Sequence, residues 1–256
     1  MTVALAVKCS DGIVLACDSL ATFARGVPVA KYGNKAHTID HELLLQPVAV
    51  AGAGTMAFID KFVDRSERVL SGWKKDGKVT TKLDIVDYVE RVGETVGSIL
   101  FKEYVIDRYK FFGTEISNFS LSLIATGATK NGDLRAYFIH QTGLAEAISD
   151  YGTIGSGAAY AELFLKNLIQ DPSGVTVDEA APLAVYAIKG VEIMDPYVGG
   201  DTGVILLRMK DGKLRIEKLP QNKIPKNAYQ RMEDVLKKMG NDMRGVIDKP
   251  KPRRRS

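Results

Sequence analysis

The chain opens on two short apolar runs. Thr2–Lys8 and Ile13–Asp18 are rich in small and β-forming residues, and Ser10-Asp11-Gly12 between them is a turn signal. Together they predict an N-terminal β-hairpin. Thr22–Gly33, with Gly26, Pro28 and Gly33, reads as a loop, and Lys35–Ile39 and Leu43–Ala51 read as two further strands. After Gly52-Ala53-Gly54 the period changes. Phe58, Ile59, Phe62, Val63, Val69 and Leu70 recur at helical spacing as far as Trp73, and Asp76-Gly77 breaks the pattern. A second helix is expected from Thr81, with Asp84 as its capping partner, running to about Tyr109. Gly93 and Gly97 inside it either weaken the helix or let it pack closely against a neighbour.

Strand patterns return at Phe119–Ala125 and Leu134–Ile139, on either side of the turn Lys130-Asn131-Gly132-Asp133. A short strand over Ala145–Ile148 precedes Tyr151-Gly152. Ala158–Ile169 is helical. Thr176-Val177-Asp178-Glu179 forms a capping box for another helix to about Met194, in which Pro182 predicts a kink. Gly203–Met209 and Leu214–Lys218 flank Asp211-Gly212, a strong hairpin signal. A last helix is expected near Ala228–Met239. Strands, two helices, strands, two helices, strands is not the alternation of a parallel sheet. The order suits an α+β fold of four layers, αββα, in which two antiparallel sheets stack and helix pairs cover both outer faces.

Composition narrows the class. The chain has 256 residues, 45% hydrophobic and 26% charged, with a formal charge of +4. These are globular values, and no apolar run is long enough for a membrane span. The apolar start is broken by Lys8 and Asp11, so it is not a signal peptide. Five positive charges sit in the last eight residues, Lys249–Ser256, which leaves the rest of the chain at −1. The basicity is therefore a tail, and a nucleic-acid-binding face is not expected. Cys9 and Cys17 fall at the turn and near the far end of the predicted hairpin. They are read as two packing thiols of a reducing compartment, because two cysteines are too few for a disulfide framework or a cysteine-rich metal site.

Several chemistries are missing from the motifs. There is no Walker-A loop, no HExxH and no GxSxG, and His37, His41 and His140 lack ligand spacing. No metal site and no cofactor are expected. Gly52-Ala53-Gly54-Thr55-Met56-Ala57, a glycine-rich strand-to-helix turn, imitates a dinucleotide fingerprint. The next helix leads to Lys74–Lys78 and a second helix, where that fold would need a parallel strand ending in an acidic residue. The same turn could instead present backbone N–H groups to an oxyanion.

Thr2 follows Met1. If Met1 is removed, Thr2 carries a free α-amine that can act as base for its own hydroxyl. Met-Thr alone means little, but its context is specific. Thr2–Val7, Asp11–Ser19 with Ala21-Thr22, Lys35–Asp40, Val50–Gly54, Ile154–Gly157, Thr176–Glu179 and Asp195–Gly200 together resemble proteasome β-type subunits. These are N-terminal-nucleophile (Ntn) hydrolases, a group that includes HslV-type and Anbu-type peptidases. The resemblance spans about residues 2–220 and keeps the order and approximate spacing of every block.

The resemblance implies roles position by position. Thr2 matches the nucleophile. Asp18 matches the carboxylate that holds the catalytic lysine. Lys35 matches that lysine, placed to favour proton loss from the threonine; the match needs one extra residue in the preceding loop, without which Asn34 would fall there. Gly52 matches the oxyanion donor, a role whose loss typically costs about 10²–10³ in rate. Ser156 and Asp195 match the residues that position the free N-terminus. Ala21, Thr22, Gly33, Val50 and Gly54 match the substrate-binding positions. Because Ala21, Gly33, Val50 and Gly54, which would line the pocket for the residue before the scissile bond, carry no charge, apolar side chains are expected there. Val198 departs from the pattern: the family usually has a serine at this place, and valine cannot hydrogen-bond.

By this resemblance the chain is expected to be a threonine endopeptidase subunit in a self-compartmentalising protease, cleaving peptides or unfolded proteins through an acyl-ester. The resemblance also implies like subunits in a ring or helical assembly, an ATP-dependent unfoldase partner, a cytoplasmic location and no membrane or nucleic-acid partner. A catalytically inactive structural ring subunit, or an Ntn amidase or ligase, are the alternatives. With no long propeptide expected before Thr2, activation would need only loss of Met1. Residues 1–220 are expected to form the Ntn domain, 221–248 a helical extension and 249–256 a basic tail.

Overall fold

The computed structural model describes residues 2–21, 31–112 and 120–220. The expected helix at Ala228–Met239, the basic tail and most of the Thr22–Gly33 loop lie outside them.

The N-terminal hairpin forms as its pattern demands. β1 (Val3–Lys8) and β2 (Ile13–Asp18) pair antiparallel, with Ala4 opposite Cys17 and Lys8 opposite Ile13. β3 (Leu20–Ala21) and β4 (Lys31–Tyr32) pair as a small separate ribbon. β5 (Ala36–Ile39) and β6 (Val48–Gly54) come next. The strand expected at Leu43–Ala51 is therefore displaced. Pro47 has no N–H for a ladder, so the strand starts after it. Leu43–Leu45 are instead stitched to Leu83: Leu45 N–H donates to the Leu83 carbonyl and Leu83 N–H to that of Leu43, both at 2.7 Å. Gly52 to Gly54, read as a turn, belong to the strand.

α1 (Met56–Lys75) matches its periodicity. The second helix, α2, covers residues 85–112 and includes two π-helical stretches, Tyr88–Gly93 and Lys102–Ile106. It begins later than Thr81, because Leu83 is held extended against Leu43 and Asp84 becomes the cap, accepting from Asp87 N–H at 3.0 Å. Gly97 serves close packing: a Cβ there would stand 2.4 Å from Gly143 Cα.

β7 (Leu121–Ala128), β8 (Leu134–Ile139) and β9 (Ala145–Ile148) then form a meander. β10 (Tyr151–Gly155), which the pattern missed, crosses to the first sheet and pairs with β1. Two helices, α3 (Ala158–Leu168) and α4 (Val177–Met194), succeed it, and α4 continues through Pro182. Glu179 accepts the Thr176 N–H at 3.1 Å and hydroxyl at 2.9 Å, and Asp11 caps Val177 N–H at 2.8 Å. β11 (Thr202–Lys210) and β12 (Lys213–Pro220) close the described chain through Asp211-Gly212, both at positive φ.

The sheets have the orders β10-β1-β2-β11-β12 and β5-β6-β7-β8-β9. Three cores separate four layers. Leu5, Val14, Ala184 and Ile188 join the first sheet to α3 and α4. Ile59, Phe62, Tyr88 and Leu123 join the second sheet to α1 and α2. Between the sheets small and branched side chains lie together, among them Ala4, Ala6, Ala49, Ala51 and Ala53 with Ile13, Leu15, Ile124 and Ile205. The architecture is the expected αββα sandwich. No helix among the described residues is long and apolar enough to cross a membrane.

Candidate active site

Thr2 precedes β1, and β1 is flanked on both sides, by β2 and by β10. That placement buries Thr2 completely. Asp18 ends β2, opposite Thr202 of the neighbouring β11, and its carboxylate is saturated with donors. Oδ1 accepts the Thr2 hydroxyl at 2.7 Å, Val3 N–H at 3.0 Å and Lys35 Nζ at 2.8 Å, while Oδ2 accepts Gly199 N–H at 3.2 Å. Lys35 enters just before β5. Its ammonium also donates to the Leu20 carbonyl at 2.6 Å. The side chains of Lys35 and Asp18 are only 2% and 1% exposed. Two charges so deeply buried are tolerable only when paired and fully hydrogen-bonded. Of the two neighbouring candidates, Lys35 makes this pair. Asn34 turns to cap Ala36 N–H at 3.2 Å.

Gly52, the candidate oxyanion donor, adjoins this cluster, but its N–H donates to the Lys35 carbonyl at 2.9 Å. The donor is thus engaged. A Cβ on Gly52 would also come within 2.7 Å of Ile59. Gly155 brings the third segment in. It lies opposite Val3 with φ +101, and a Cβ there would stand 2.0 Å from the Thr2 carbonyl oxygen, so a side chain is excluded. The next residue, Ser156, donates from its hydroxyl to Asp195 Oδ2 at 2.7 Å, and Asp195 Oδ1 accepts Tyr197 N–H at 2.9 Å. Residues 195–200 then return to Asp18 through Gly199. Val198 is buried in the apolar core beneath α3 and α4, with Val3 and Val191.

The substrate-binding candidates are less concentrated. Val50 is fully buried under α1, and Gly33 lies against Met56, whose Cε would be 2.3 Å from an added Cβ. Gly54 ends β6 against Ser120. Ala21 is paired with Lys31 in the small ribbon, and Thr22 lies outside the described residues. The histidines are scattered: His41 bonds Leu43 N–H, and His37 and His140 face Asp60 and Glu146 at 3.7 and 3.6 Å. The sequence pattern does not reveal Gly199, Gly155 or Leu20. Gly199 and Leu20 act through backbone atoms, which leave no side-chain signature, and Gly155 acts through the side chain it lacks.

The sandwich of two antiparallel sheets between helix layers is an Ntn-type fold, and a threonine, a carboxylate and a lysine converge where its first strand begins. The family described as Proteasome subunit matches residues 2–205, and the chain belongs to it. Solved structures agree on the fold. Anbu (ancestral beta-subunit) from Yersinia bercovieri aligns with a TM-score of 0.66 at 17% identity over 99% of this chain and 100% of its own. An Anbu (Gly-1) mutant from Hyphomicrobium sp. strain MC1 aligns with a TM-score of 0.70 at 17% identity over 100% of both chains. The structure titled as the helical assembly of the Anbu complex from Pseudomonas aeruginosa gives 0.69 at 15% identity, covering 98% of this chain and 100% of that one. A comparison with curated proteins returns no match.

Proposed function

We propose that the chain is a threonine-type peptidase subunit of a self-compartmentalising protease. The observation that carries this reading is the Thr2 hydroxyl sharing one carboxylate oxygen with the buried Lys35 ammonium. While Met1 is attached, the Thr2 nitrogen is an amide and no base. Its removal creates an amine that takes the Oγ1 proton as the oxygen attacks a peptide carbonyl. The amine then gives that proton to the leaving nitrogen, an acyl-ester on Thr2 remains, and water releases it. Asp18 holds Lys35 beside the reacting oxygen, where its positive charge favours the alkoxide. Ser156 and Asp195 fix the freed N-terminus. The Gly52 N–H serves the oxyanion after exchanging the Lys35 carbonyl for the substrate oxygen.

On this reading the substrates are peptides or unfolded proteins with an apolar residue before the scissile bond. Like subunits assemble as a ring or helix, an ATP-dependent unfoldase feeds them, and the protein works in the cytoplasm without a cofactor. The test is intact mass together with hydrolysis of a fluorogenic peptide. We expect a mass lacking Met1 and turnover that Thr2→Ala abolishes. A pure assembly lacking Met1 that neither hydrolyses peptides nor reacts at Thr2 with a threonine-directed electrophile overturns the reading.

The engaged Gly52 N–H and the apolar Val198 favour one rival, an inactive structural ring subunit, and the same assay decides between them. Product mass spectrometry with an added amine separates hydrolysis from an amidase or ligase outcome.

A further inference from the structure

Lys189 and Glu192 sit near the end of α4 with the spacing of an ordinary surface ion pair, each side chain roughly one-third exposed, at 35% and 37%. Their geometry is less ordinary. Lys189 Nζ donates to Glu192 Oε2 at 2.7 Å and also reaches past the helix end to the Gly200 carbonyl at 2.7 Å. The adjoining Gly199 is buried and clamped to the catalytic strand end. Its N–H bonds Asp18 Oδ2 at 3.2 Å, and its carbonyl accepts Leu20 N–H at 3.0 Å and Ser19 N–H at 3.3 Å. Leu20 in turn presents its carbonyl to Lys35 Nζ.

The segment needs such a clamp. Gly199 and Gly200 have the widest backbone freedom of any residues, and the preceding Val198 offers no side-chain hydrogen bond. A charge-assisted bond from Lys189, itself oriented by Glu192, supplies the missing restraint on the outer side.

We propose that Lys189 is a positioning residue of the active site. By holding the Gly200 carbonyl it keeps Gly199 N–H on Asp18, and so keeps the carboxylate aligned on Thr2 and Lys35. The inference rests on the peptidase reading above, and its test separates the two. In the full chain, Lys189→Met should lower kcat about tenfold with KM unchanged and raise the hydrogen–deuterium exchange rate of residues 195–200 at least about tenfold. The thermal midpoint should move by less than about 3 °C. Lys189→Arg, which keeps the charge and a donor, should restore both rate and protection, and Glu192→Gln should give a smaller loss of about threefold. An active wild type whose Lys189→Met variant keeps its kcat, or loses kcat with no change in exchange at 195–200, overturns the inference alone. A mature wild type without peptidase activity overturns the reading on which it rests.

Discussion

At one end of the β1–β2 hairpin lies Thr2, and at the other lies Cys9. Both are buried, and both carry a side chain that can act as a nucleophile. Around Thr2 the fold gathers a carboxylate, an ammonium and three backbone partners. Cys9 borders an open depression with Lys8, Asp11, Asp133 and Arg135, yet its thiol only leans on the Val7 carbonyl at 3.6 Å. Burial, and after it the Asp11 carboxylate, push the Cys9 thiol up to about 12. A concave surface and an intrinsically better nucleophile do not make a site. What separates the two ends is a buried ion pair whose carboxylate also accepts the nucleophile's own hydroxyl.

The largest effect should come from Asp18→Asn. It leaves the Lys35 ammonium buried without its counter-charge, so stability should fall by about 3–5 kcal/mol in urea titrations. On the peptidase reading, turnover should fall on the order of 10⁴-fold, the size of loss seen when a catalytic unit loses its carboxylate. A variant with normal turnover would erase the contrast between the two ends. Gly155→Ala comes next. At φ +101 and against the Thr2 carbonyl, the added methyl should cost about 1–3 kcal/mol and displace Thr2, lowering kcat more than KM changes.

A smaller effect concerns pH. Burial, then the neighbouring Asp18, push Cys17 up to about 12, as burial does for Cys9. A thiol whose folded pKa is raised favours the fold fully below its unfolded value of 9.0 and loses that contribution as pH climbs towards 12. Stability measured by denaturant should therefore decline across that window, and less so in a double Cys→Ala variant. The same neutral thiols should resist iodoacetamide at pH 8 in the native protein and react after unfolding. The smallest effect should be Cys9→Ala, with peptide turnover unchanged and stability lowered by about 1 kcal/mol.

Much of the fold and site is legible in the chain because it is written in side chains. The hairpin, α1, the Thr176 cap and the Asp211-Gly212 turn follow from local pattern, and the pairing of Asp18 with Lys35 follows from the family resemblance. The misses have a common physical cause. β10 carries Gly152 and Gly155 and too little alternation to show as a strand, and its place is set by pairing with β1. The delayed start of α2 depends on a tertiary stitch between Leu43 and Leu83. The engagement of Gly52 by the Lys35 carbonyl and of Asp18 by Gly199 is backbone to backbone or backbone to carboxylate, invisible until the fold is closed. The Lys189 bond to the Gly200 carbonyl leaves no signal in the sequence, because its acceptor is a backbone atom beyond the end of the helix.

The placement of β1 between β2 and β10 also sets a timetable. Thr2 is synthesised well before its partners, since the strand beside it ends at Gly155 and the loop that clamps Asp18 ends at Gly200. At about 5–20 residues per second, those partners emerge on the order of ten seconds or more after Lys35. Throughout that interval the nascent chain holds its hydroxyl, carboxylate and lysine without the walls that align them. If Thr2 is the nucleophile, synthesis order acts as a safety catch, because a chain truncated before Gly199 would keep Thr2 and lack the loop that clamps Asp18.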